Sequence, residues 1–196
     1  MKSKLILASG SQIRRELLER AGLEFEIHRP DVDEDPIKRA AEASRIAPER
    51  IAQSLADAKA LSLDASGSVI GSDQVLSFAG AVLSKPDTRD TARRQLQALR
   101  GGRHHLHTAV TVALAGEVRF QHVTTVSMTM RSFSDAFLDG YLDRNWPEIG
   151  SCVGGYMIEA EGSRLFEKID GDYFSVLGLP LLPLMNFLSQ EGVIPA

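Results

Sequence analysis

The stretch of residues 69–76 carries the side chains best suited to chemistry. It has the sequence Val-Ile-Gly-Ser-Asp-Gln-Val-Leu, so that Asp73 and Gln74 follow a short apolar segment and a glycine. A turn at residues 79–80 and a second apolar segment then lead to Lys85 in the sequence Ser-Lys-Pro. This pattern predicts a strand that carries Asp73 and a hairpin that returns Lys85 towards it. A carboxylate beside an ammonium suits metal-assisted phosphate chemistry; the alternative is an ordinary strand with a capping aspartate and a surface lysine.

A second group of candidates follows a predicted buried strand at residues 5–8. The next residues form a polar turn, Ser-Gly-Ser, and Ser11 is the predicted N-cap of a helix. Arg14 and Arg15 lie in the first turn of this helix, where a cation opposes the helix dipole unless an anion is bound. The pattern predicts a phosphate cradle, although it is not a P-loop. The alternative is that both arginines are solvated and pair with nearby glutamates.

Two further segments supply charged side chains. Residues 31–35, Asp-Val-Asp-Glu-Asp, form an acidic cluster that Pro36 is predicted to keep out of a helix. Divalent cations prefer such oxygen ligands, but a solvated acidic loop is also consistent with the pattern. A helix is predicted over about residues 48–63, with Lys59 near the edge of its apolar stripe. Lys59 therefore either reaches the site or extends into solvent.

The other predicted elements must position these residues. Apolar alternation and turn residues predict a half-exposed strand at 23–27, a helix capped by Asp87 or Thr88, a hairpin of 105–114 with 118–130 and a helix capped by Ser134. They also predict a strand at 156–159, an irregular segment at 165–176 and a last helix from about Leu179. The histidines His104, His105 and His107 lie at the start of that hairpin. We expect them to be exposed strand residues rather than metal ligands, because no cysteine or second histidine pair accompanies them.

Composition restricts the class of protein. The chain has 196 residues, of which 43% are hydrophobic and 24% charged, with a net charge of -4 and a pI of about 5.7. This mild acidity argues against a nucleic-acid binder with a broad basic surface. The single cysteine, Cys152, allows no intrachain disulfide. The short apolar segment near the N-terminus is too short for a signal peptide or a membrane span. We therefore expect one cytoplasmic domain over residues 1–196.

Taken together, these segments resemble the Maf family of nucleotide pyrophosphatases over nearly the whole chain. The matching segments are residues 5–11, 14–18, 32–34, 55–60, 71–75 and 84–86, then 155–156 with Glu159 and Gly162, and finally 166–173 and 176–181. The order and spacing of these segments make the resemblance specific. One departure is Gln12, where such proteins usually have proline.

The resemblance implies a fold, an activity and site residues. The fold is α/β, an elongated mixed twisted sheet flanked by helices, with two lobes and a deep cleft, similar to the inosine-triphosphatase architecture. The activity is hydrolysis of a nucleoside triphosphate to a monophosphate and pyrophosphate with Mg²⁺ or Mn²⁺, often by a homodimer. No nucleic-acid or membrane partner is implied. The implied roles are catalysis by Asp73, Lys85 and Glu34, metal binding by Glu34 and Asp73, and triphosphate binding by Ser9, Ser11, Arg14, Arg15 and Lys59.

The resemblance also bears on the base. Members of the family differ at the positions of Ile13, Gln74 and Glu159, and Gln74 with Glu159 resembles the 7-methyl-GTP subtype rather than the dTTP/UTP subtype. A carboxylate accepts hydrogen bonds from guanine donors, whereas uracil and thymine offer one N–H between two carbonyls. The 7-methyl-GTP subtype tends to have tryptophan in place of Ile13, so the expected preference is weaker and extends to other purine nucleotides. The alternatives are a dTTP/UTP pyrophosphatase and a nucleotide-binding regulator with little turnover.

Overall fold

The computed structural model describes residues 4–63 and 65–194, which form seven strands, seven α-helices and three 3₁₀ helices. The strands are β1 (Leu5–Ala8), β2 (Glu26–His28), β3 (Ser68–Phe78), β4 (Ala81–Leu83), β5 (Arg103–Leu114), β6 (Glu117–Met130) and β7 (Phe166–Asp170). The α-helices are α1 (Gln12–Arg20), α2 (Asp35–Ala43), α3 (Pro48–Leu61), α4 (Arg89–Leu99), α5 (Asp135–Asn145), α6 (Tyr173–Val176) and α7 (Leu181–Gln190). The 3₁₀ helices are Glu148–Ser151, Val153–Gly155 and Glu161–Leu165.

The expectations for the N-terminal start and for a domain over the whole chain also include residues 1–3, 64 and 195–196, which lie outside the described part. None of the helices in the described part is long and apolar enough to cross a membrane.

The strands form one mixed sheet in the order β2-β1-β3-β5-β6-β7, with β4 paired to β3. Strand β1 is parallel to both of its neighbours, and the other pairs are antiparallel. Helices pack on this sheet, so the predicted mixed α/β architecture is confirmed. The parallel pairs bury β1 completely, as its unbroken apolar sequence requires.

Two hydrophobic cores flank the middle of strand β3. Ile70 lies in one core with residues of α1 and α7, which we name the α1 core. Leu76 lies in the other core with residues of α4 and α5, which we name the α4 core. The 11 residues of β3 extend over roughly 36 Å, since each residue of a strand adds about 3.3 Å. Asp73 therefore lies between the two cores, in the interior of the strand rather than near the strand end that the sequence suggests.

Gly71 allows helix α3 to lie directly against β3. A Cβ atom on Gly71 would lie 2.3 Å from the carbonyl oxygen of Ala56 and 2.5 Å from the amide nitrogen of Ala60. A side chain of any size would therefore push the helix away from the sheet. This close approach brings Lys59 of α3 to Asp73, and Lys59 is only 8% exposed. Lys59 thus reaches the site, as one of its two sequence interpretations predicts.

Two helix starts that the sequence predicts are confirmed by their capping contacts. The Thr88 hydroxyl accepts a hydrogen bond from the amide of Thr91 at 3.1 Å, at the start of α4. The Ser134 hydroxyl accepts one from the amide of Phe137 at 3.2 Å, at the start of α5. Each hydroxyl satisfies one of the free amides of a first helical turn.

Two predictions in the first part of the chain are wrong. The strand predicted at 23–27 is limited to β2, and all three of its residues are exposed, because β2 is the edge of the sheet and pairs only with β1. Pro36 does not exclude a helix, since it occupies the second position of α2. A proline is tolerated there because the first amides of a helix have no partner within it.

The last third also differs from prediction. Residues 156–159 form no strand and instead continue as coil and turn after a 3₁₀ helix. The segment predicted to be irregular contains β7, which pairs with the end of β6 through Met128 and Ile169, and it also contains α6. Strand β7 pairs with a part of β6 that is distant from it in the sequence. Local sequence patterns carry no information about that pairing.

The histidines at the start of β5 include two that are buried, contrary to prediction. His104 is fully buried, and its Nε2 lies 2.7 Å from the hydroxyl of Tyr156. Burial lowers the pKa of His104 to about 4. His107 is also buried and lies within hydrogen-bond distance of Ser77 and Thr125. These contacts give the two rings structural roles, and the described residues contain no group of three or more potential metal-binding side chains.

Candidate active site

A cleft of about 1590 Å³ lies beside the middle of β3. This volume exceeds the 300–1,000 Å³ of ordinary small-molecule pockets, so the cleft can hold a large ligand. One part of the lining, which we name the charged wall, carries side chains of the β1–α1 turn, α1, the β2–α2 segment, α2, α3 and β3. Another part, which we name the loop wall, comes from residues between positions 147 and 159. The segment after β4 and residues 176–178 complete the lining.

The turn between β1 and α1 leaves the start of α1 open to a ligand. The Ser9 hydroxyl accepts a hydrogen bond from the amide of Ser11 at 3.2 Å, which holds the turn. Ser11 is the N-cap residue, as predicted, but its side chain makes no capping hydrogen bond and the first turn contains no acidic residue. The free amides and the dipole of this helix start favour an anion.

Arg14 is fixed by backbone carbonyls. Its Nε donates to the carbonyl of Gly178 at 2.7 Å, and its Nη1 donates to the carbonyl of Ser72 at 2.8 Å and to the Ser9 hydroxyl at 3.3 Å. These contacts use three of the five N–H groups of a guanidinium and leave the two on Nη2 for a ligand. Burial lowers the pKa of Arg14, while the charges of Asp73 and Glu34 oppose this shift. The cleft therefore holds a cation whose position is fixed by the protein.

Lys59 links the two carboxylates of the charged wall. Its Nζ lies 2.5 Å from Oδ1 of Asp73 and 2.8 Å from Oε1 of Glu34. The second oxygen of Glu34 accepts from Lys38 at 2.6 Å. Burial alone would raise the pKa of Glu34, but hydrogen bonds from Lys38 and Lys59 outweigh it and lower the pKa to about 2. Glu34 is therefore ionised at neutral pH.

Lys85 contributes a positive charge from the segment after β4. The carbonyl of Ser84 accepts a hydrogen bond from Nε2 of Gln95 on α4 at 2.9 Å, which anchors this segment. Enclosure in the cleft lowers the pKa of Lys85, and the charge of Arg14 lowers it further. No ion pair of Lys85 occurs within the described part of the chain, so its charge is available to an anionic ligand.

The structure brings nearly all of the sequence candidates together. The following candidates line the cleft: Ser9, Ser11, Ile13, Arg14, Glu34, Lys59, Asp73, Gln74, Lys85 and Glu159. Arg15 is the exception, because it is exposed and its Nε donates to Glu19 on the same helix at 2.7 Å. The structure thus gives Arg15 the surface pairing that the sequence offered as the alternative.

Gln74 contacts protein groups with its amide nitrogen. Its Nε2 lies within hydrogen-bond distance of the Thr108 hydroxyl at 2.9 Å and of the carbonyls of Ser175 and Val176 at 2.9 and 3.1 Å. Ile13 on α1 and the exposed Glu159 on the loop wall make no such contacts in the described residues, so both are open to a ligand.

Sequence reasoning missed several lining residues. Lys38, Arg29 and Arg39 add positive charge to the charged wall. Lys38 could have been found, because it lies four residues after Glu34, a spacing that brings side chains together on a helix. The loop-wall residues Tyr156 and Met157 have no comparable pattern in the sequence, since a coil segment brings them to the cleft.

Glu34 and Asp73 fit a divalent cation that is shared with a ligand. Two carboxylates are too few for a metal site made of protein side chains alone. In agreement, the described part of the chain contains no group of three or more potential metal-binding side chains. Mg²⁺ is commonly held by one or two carboxylates together with substrate phosphates and water. Both carboxylates lie against the same ammonium of Lys59, so they converge on one point of the cleft.

The fold and the site together define an α/β protein with a cleft built for a large anionic ligand. The chain belongs to the Maf family, because the model of the family described as Maf-like protein matches residues 4–191. It is 47% identical over 99% of both chains to a nucleoside triphosphate pyrophosphatase of Ruegeria sp. (strain TM1040). It is 43% identical, over 99% of both chains, to a 7-methyl-GTP pyrophosphatase of Brucella abortus biovar 1 (strain 9-941). It is 42% identical to a 7-methyl-GTP pyrophosphatase of Rhizobium meliloti (strain 1021), over the full length of both chains.

Proposed function

We propose that this protein hydrolyses a nucleoside triphosphate to the monophosphate and pyrophosphate. The observation that carries the proposal is the position of Asp73, which lies in the cleft with Lys59 on one of its oxygens and with Arg14 and Lys85 lining the same cavity. The names of the relatives in Ruegeria, Brucella and Rhizobium support the same reaction.

Asp73 is the proton acceptor in this proposal. Lys59 contacts Oδ1, so Oδ2 is the oxygen that takes a proton from the attacking water. The hydrogen bond from Lys59 holds the carboxylate in one orientation, which keeps the water in line with the α-phosphorus. The bond from the α-phosphorus to the bridging oxygen breaks, and pyrophosphate leaves.

The cations of the cleft stabilise the charge that develops. The two free N–H groups of Arg14 and the ammonium of Lys85 bind phosphoryl oxygens, and the open start of α1 binds another. Because Arg14 is already fixed by Gly178 and Ser72, it needs no reorganisation during the reaction. These groups bind the leaving pyrophosphate more strongly as its negative charge grows.

A divalent cation is part of this proposal. Glu34 and Asp73 would hold Mg²⁺ or Mn²⁺ together with phosphate oxygens, and the cation would stabilise phosphoryl charge as a Lewis acid. Removal of divalent cations with EDTA is expected to abolish pyrophosphate release, and added Mg²⁺ or Mn²⁺ to restore it. Full turnover in EDTA would contradict the metal requirement.

The proposed base preference is for 7-methyl-GTP over GTP, with dTTP and UTP lowest. Its support is the exposed carboxylate of Glu159 on the loop wall and the apolar side chain of Ile13 on α1. Glu159 accepts hydrogen bonds from guanine donors and attracts the positive charge of the N7-methylated ring. Ile13 supplies apolar contact without the stacking that an aromatic ring provides.

The test is pyrophosphate release from a panel of triphosphates with Mg²⁺ or Mn²⁺. Turnover of 7-methyl-GTP with a higher kcat/KM than GTP, dTTP or UTP is the expected result. A preference for dTTP or UTP would overturn the base assignment and leave the reaction intact. Tight binding without turnover under every metal would overturn the reaction and favour a nucleotide-binding regulator.

A further inference from the structure

Residues 175–178, which we name the strap, form a wall of the cleft where the two cores meet. Val176, Leu177 and Gly178 line the cavity. Val176 belongs to the α4 core, Leu177 packs against both cores, and the next residue, Leu179, belongs to the α1 core. The strap therefore crosses from one core to the other beside the ligand cavity, and its position affects the shape of that cavity.

Side chains of the central strands hold one end of the strap. The amide of Gln74 on β3 donates to the carbonyls of Ser175 and Val176. The hydroxyl of Thr108 on β5 donates to the carbonyl of Ser175 at 2.8 Å and accepts from the Gln74 amide. Each donor therefore has an acceptor, and the side chains of Gln74 and Thr108 together hold the backbone of the strap.

The other end of the strap is held at Gly178. Its carbonyl accepts a hydrogen bond from Arg14 Nε at 2.7 Å, and the Ser72 hydroxyl, which is closer to the carbonyl of Ala109, lies 3.0 Å from it. Gly178 has a φ of 106°, a conformation that favours glycine, and a Cβ atom there would approach the Arg14 guanidinium at 3.5 Å. The strap is thus bound at one end to Gln74 and at the other end to Arg14, a residue that we propose binds phosphate.

The Gln74 amide has no hydrogen left for a nucleotide base. An amide NH₂ group has two hydrogens, and Nε2 of Gln74 lies within hydrogen-bond distance of three protein acceptors. The reverse orientation would place the side-chain oxygen against two carbonyls, so the network fixes the orientation. A direct donor role of Gln74 towards a base would require the strap to be released.

We propose that Gln74 is a positioning residue that influences nucleotide choice by holding the strap, rather than by donating to the base. A shorter side chain such as threonine cannot reach both carbonyls, so it would release the strap and widen the cavity at Val176. This inference rests on the proposed function, because it concerns which nucleotide the same cleft accepts.

Thr108→Val provides the decisive variant. Thr108 is fully buried and does not line the cavity, so its hydroxyl acts on a ligand only through its two partners, Ser175 of the strap and the Gln74 amide. Valine keeps the shape but removes one hydrogen bond to Ser175. The matched control is Thr111→Val, since Thr111 is equally buried on the same strand but donates to Asp57 instead. Gln74→Met removes the amide contacts with similar length.

Two measurements are made on these variants. Hydrogen–deuterium exchange of residues 173–179 reports on the strap without any turnover, and we expect exchange to rise about fivefold in Thr108→Val, the effect of one net hydrogen bond, and more in Gln74→Met. The ratio of kcat/KM for GTP to that for dTTP is expected to shift in the same direction in both variants. In Thr111→Val neither the exchange of these residues nor the ratio changes.

The outcomes separate this inference from the proposed reaction. If Thr108→Val loosens the strap but keeps the wild-type ratio while Gln74→Met changes it, Gln74 acts directly on the base and the inference is wrong. Unchanged exchange in Thr108→Val also refutes it. If no triphosphate is hydrolysed, the proposed reaction fails, and the same comparison is made with dissociation constants for GTP and dTTP.

Discussion

The charged wall and the loop wall of the cleft are built on different principles. On the charged wall, each central side chain is fixed by a second group: Lys59 by two carboxylates, and Arg14 by the carbonyls of Ser72 and Gly178. On the loop wall, Glu159 is exposed in a turn after a 3₁₀ helix. Phosphoryl chemistry requires charges that are in place before the reaction, whereas base selection requires contacts that can change without disturbing them. Loss of a charged side chain from the charged wall should therefore alter the rate for every nucleotide, whereas loss of the Glu159 carboxylate from the loop wall should alter only the ranking.

Asp73→Asn should have the largest effect. Asparagine keeps the shape but removes the proposed proton acceptor, so kcat should fall by about 10²-fold or more for all triphosphates. The measurement is steady-state pyrophosphate release, with nucleotide binding followed separately to show that the cleft is intact. Near wild-type turnover of this variant would mean that Asp73 is not the base.

The pair Arg14→Ala and Arg15→Ala compares a half-buried cation with its exposed neighbour. Loss of Arg14 removes two free donors and the contacts to Gly178 and Ser72, so kcat/KM should fall by about 10²-fold or more. Arg15 lies on the surface with Glu19, and its loss should change kcat/KM by less than about threefold. Equal losses in the two variants would place Arg15 in the site and contradict the geometry.

Ile13→Trp should sharpen the base preference. An indole beside a cationic 7-methylguanine ring is worth about 0.5–2 kcal/mol, so the ratio of kcat/KM for 7-methyl-GTP to that for GTP should rise by roughly 2- to 30-fold. The value for GTP serves as the internal control, because unmethylated guanine carries no ring charge. An unchanged ratio would show that position 13 does not contact the base.

Glu159→Gln should flatten the same ranking. Glutamine lacks the charge that we propose attracts the methylated ring, and because Glu159 is exposed the ratio of kcat/KM for 7-methyl-GTP to that for GTP should fall by only about fivefold or less. The kcat for GTP should stay near its wild-type value, since the charged wall is unaltered. A large loss of kcat with every nucleotide would mean that Glu159 takes part in the reaction itself. The loop wall would then not be limited to base selection.

The free energy of unfolding should depend on pH through Glu34 of the charged wall. The folded protein lowers the pKa of Glu34 from 4.5 to about 2, so the ionised form favours folding above pH 4.5 and this contribution disappears as the pH falls towards 2. The stability difference between wild type and Glu34→Gln, measured by urea unfolding, should therefore shrink between pH 6 and pH 3. The effect should be modest because Glu34 is partly exposed. A difference that is constant over this range would contradict the ion pairs.

Much of the site could be predicted from sequence because its residues follow local patterns. Asp73 follows a glycine within an apolar strand, and Arg14 opens a helix after a Ser-Gly-Ser turn. The failures at Pro36 and at residues 156–159 have a common cause. A helix start tolerates proline, and a strand needs a partner edge, so neither outcome is decided by local composition.

The sequence by itself determined the mixed α/β class, the family, the hairpins and the residues that carry charge into the cleft. Only the tertiary structure decided which of those charged side chains can contact a ligand in the cleft. In the structure, Arg14 lies in the cleft while Arg15 pairs with Glu19 on the surface. The carboxylates of Glu34 and Asp73 both contact Lys59, and the Gln74 amide contacts the strap. The physical reason is that these assignments depend on contacts between residues up to 164 positions apart, such as Arg14 with Gly178. Periodicity and turn chemistry describe neighbours along the chain and contain no such distances.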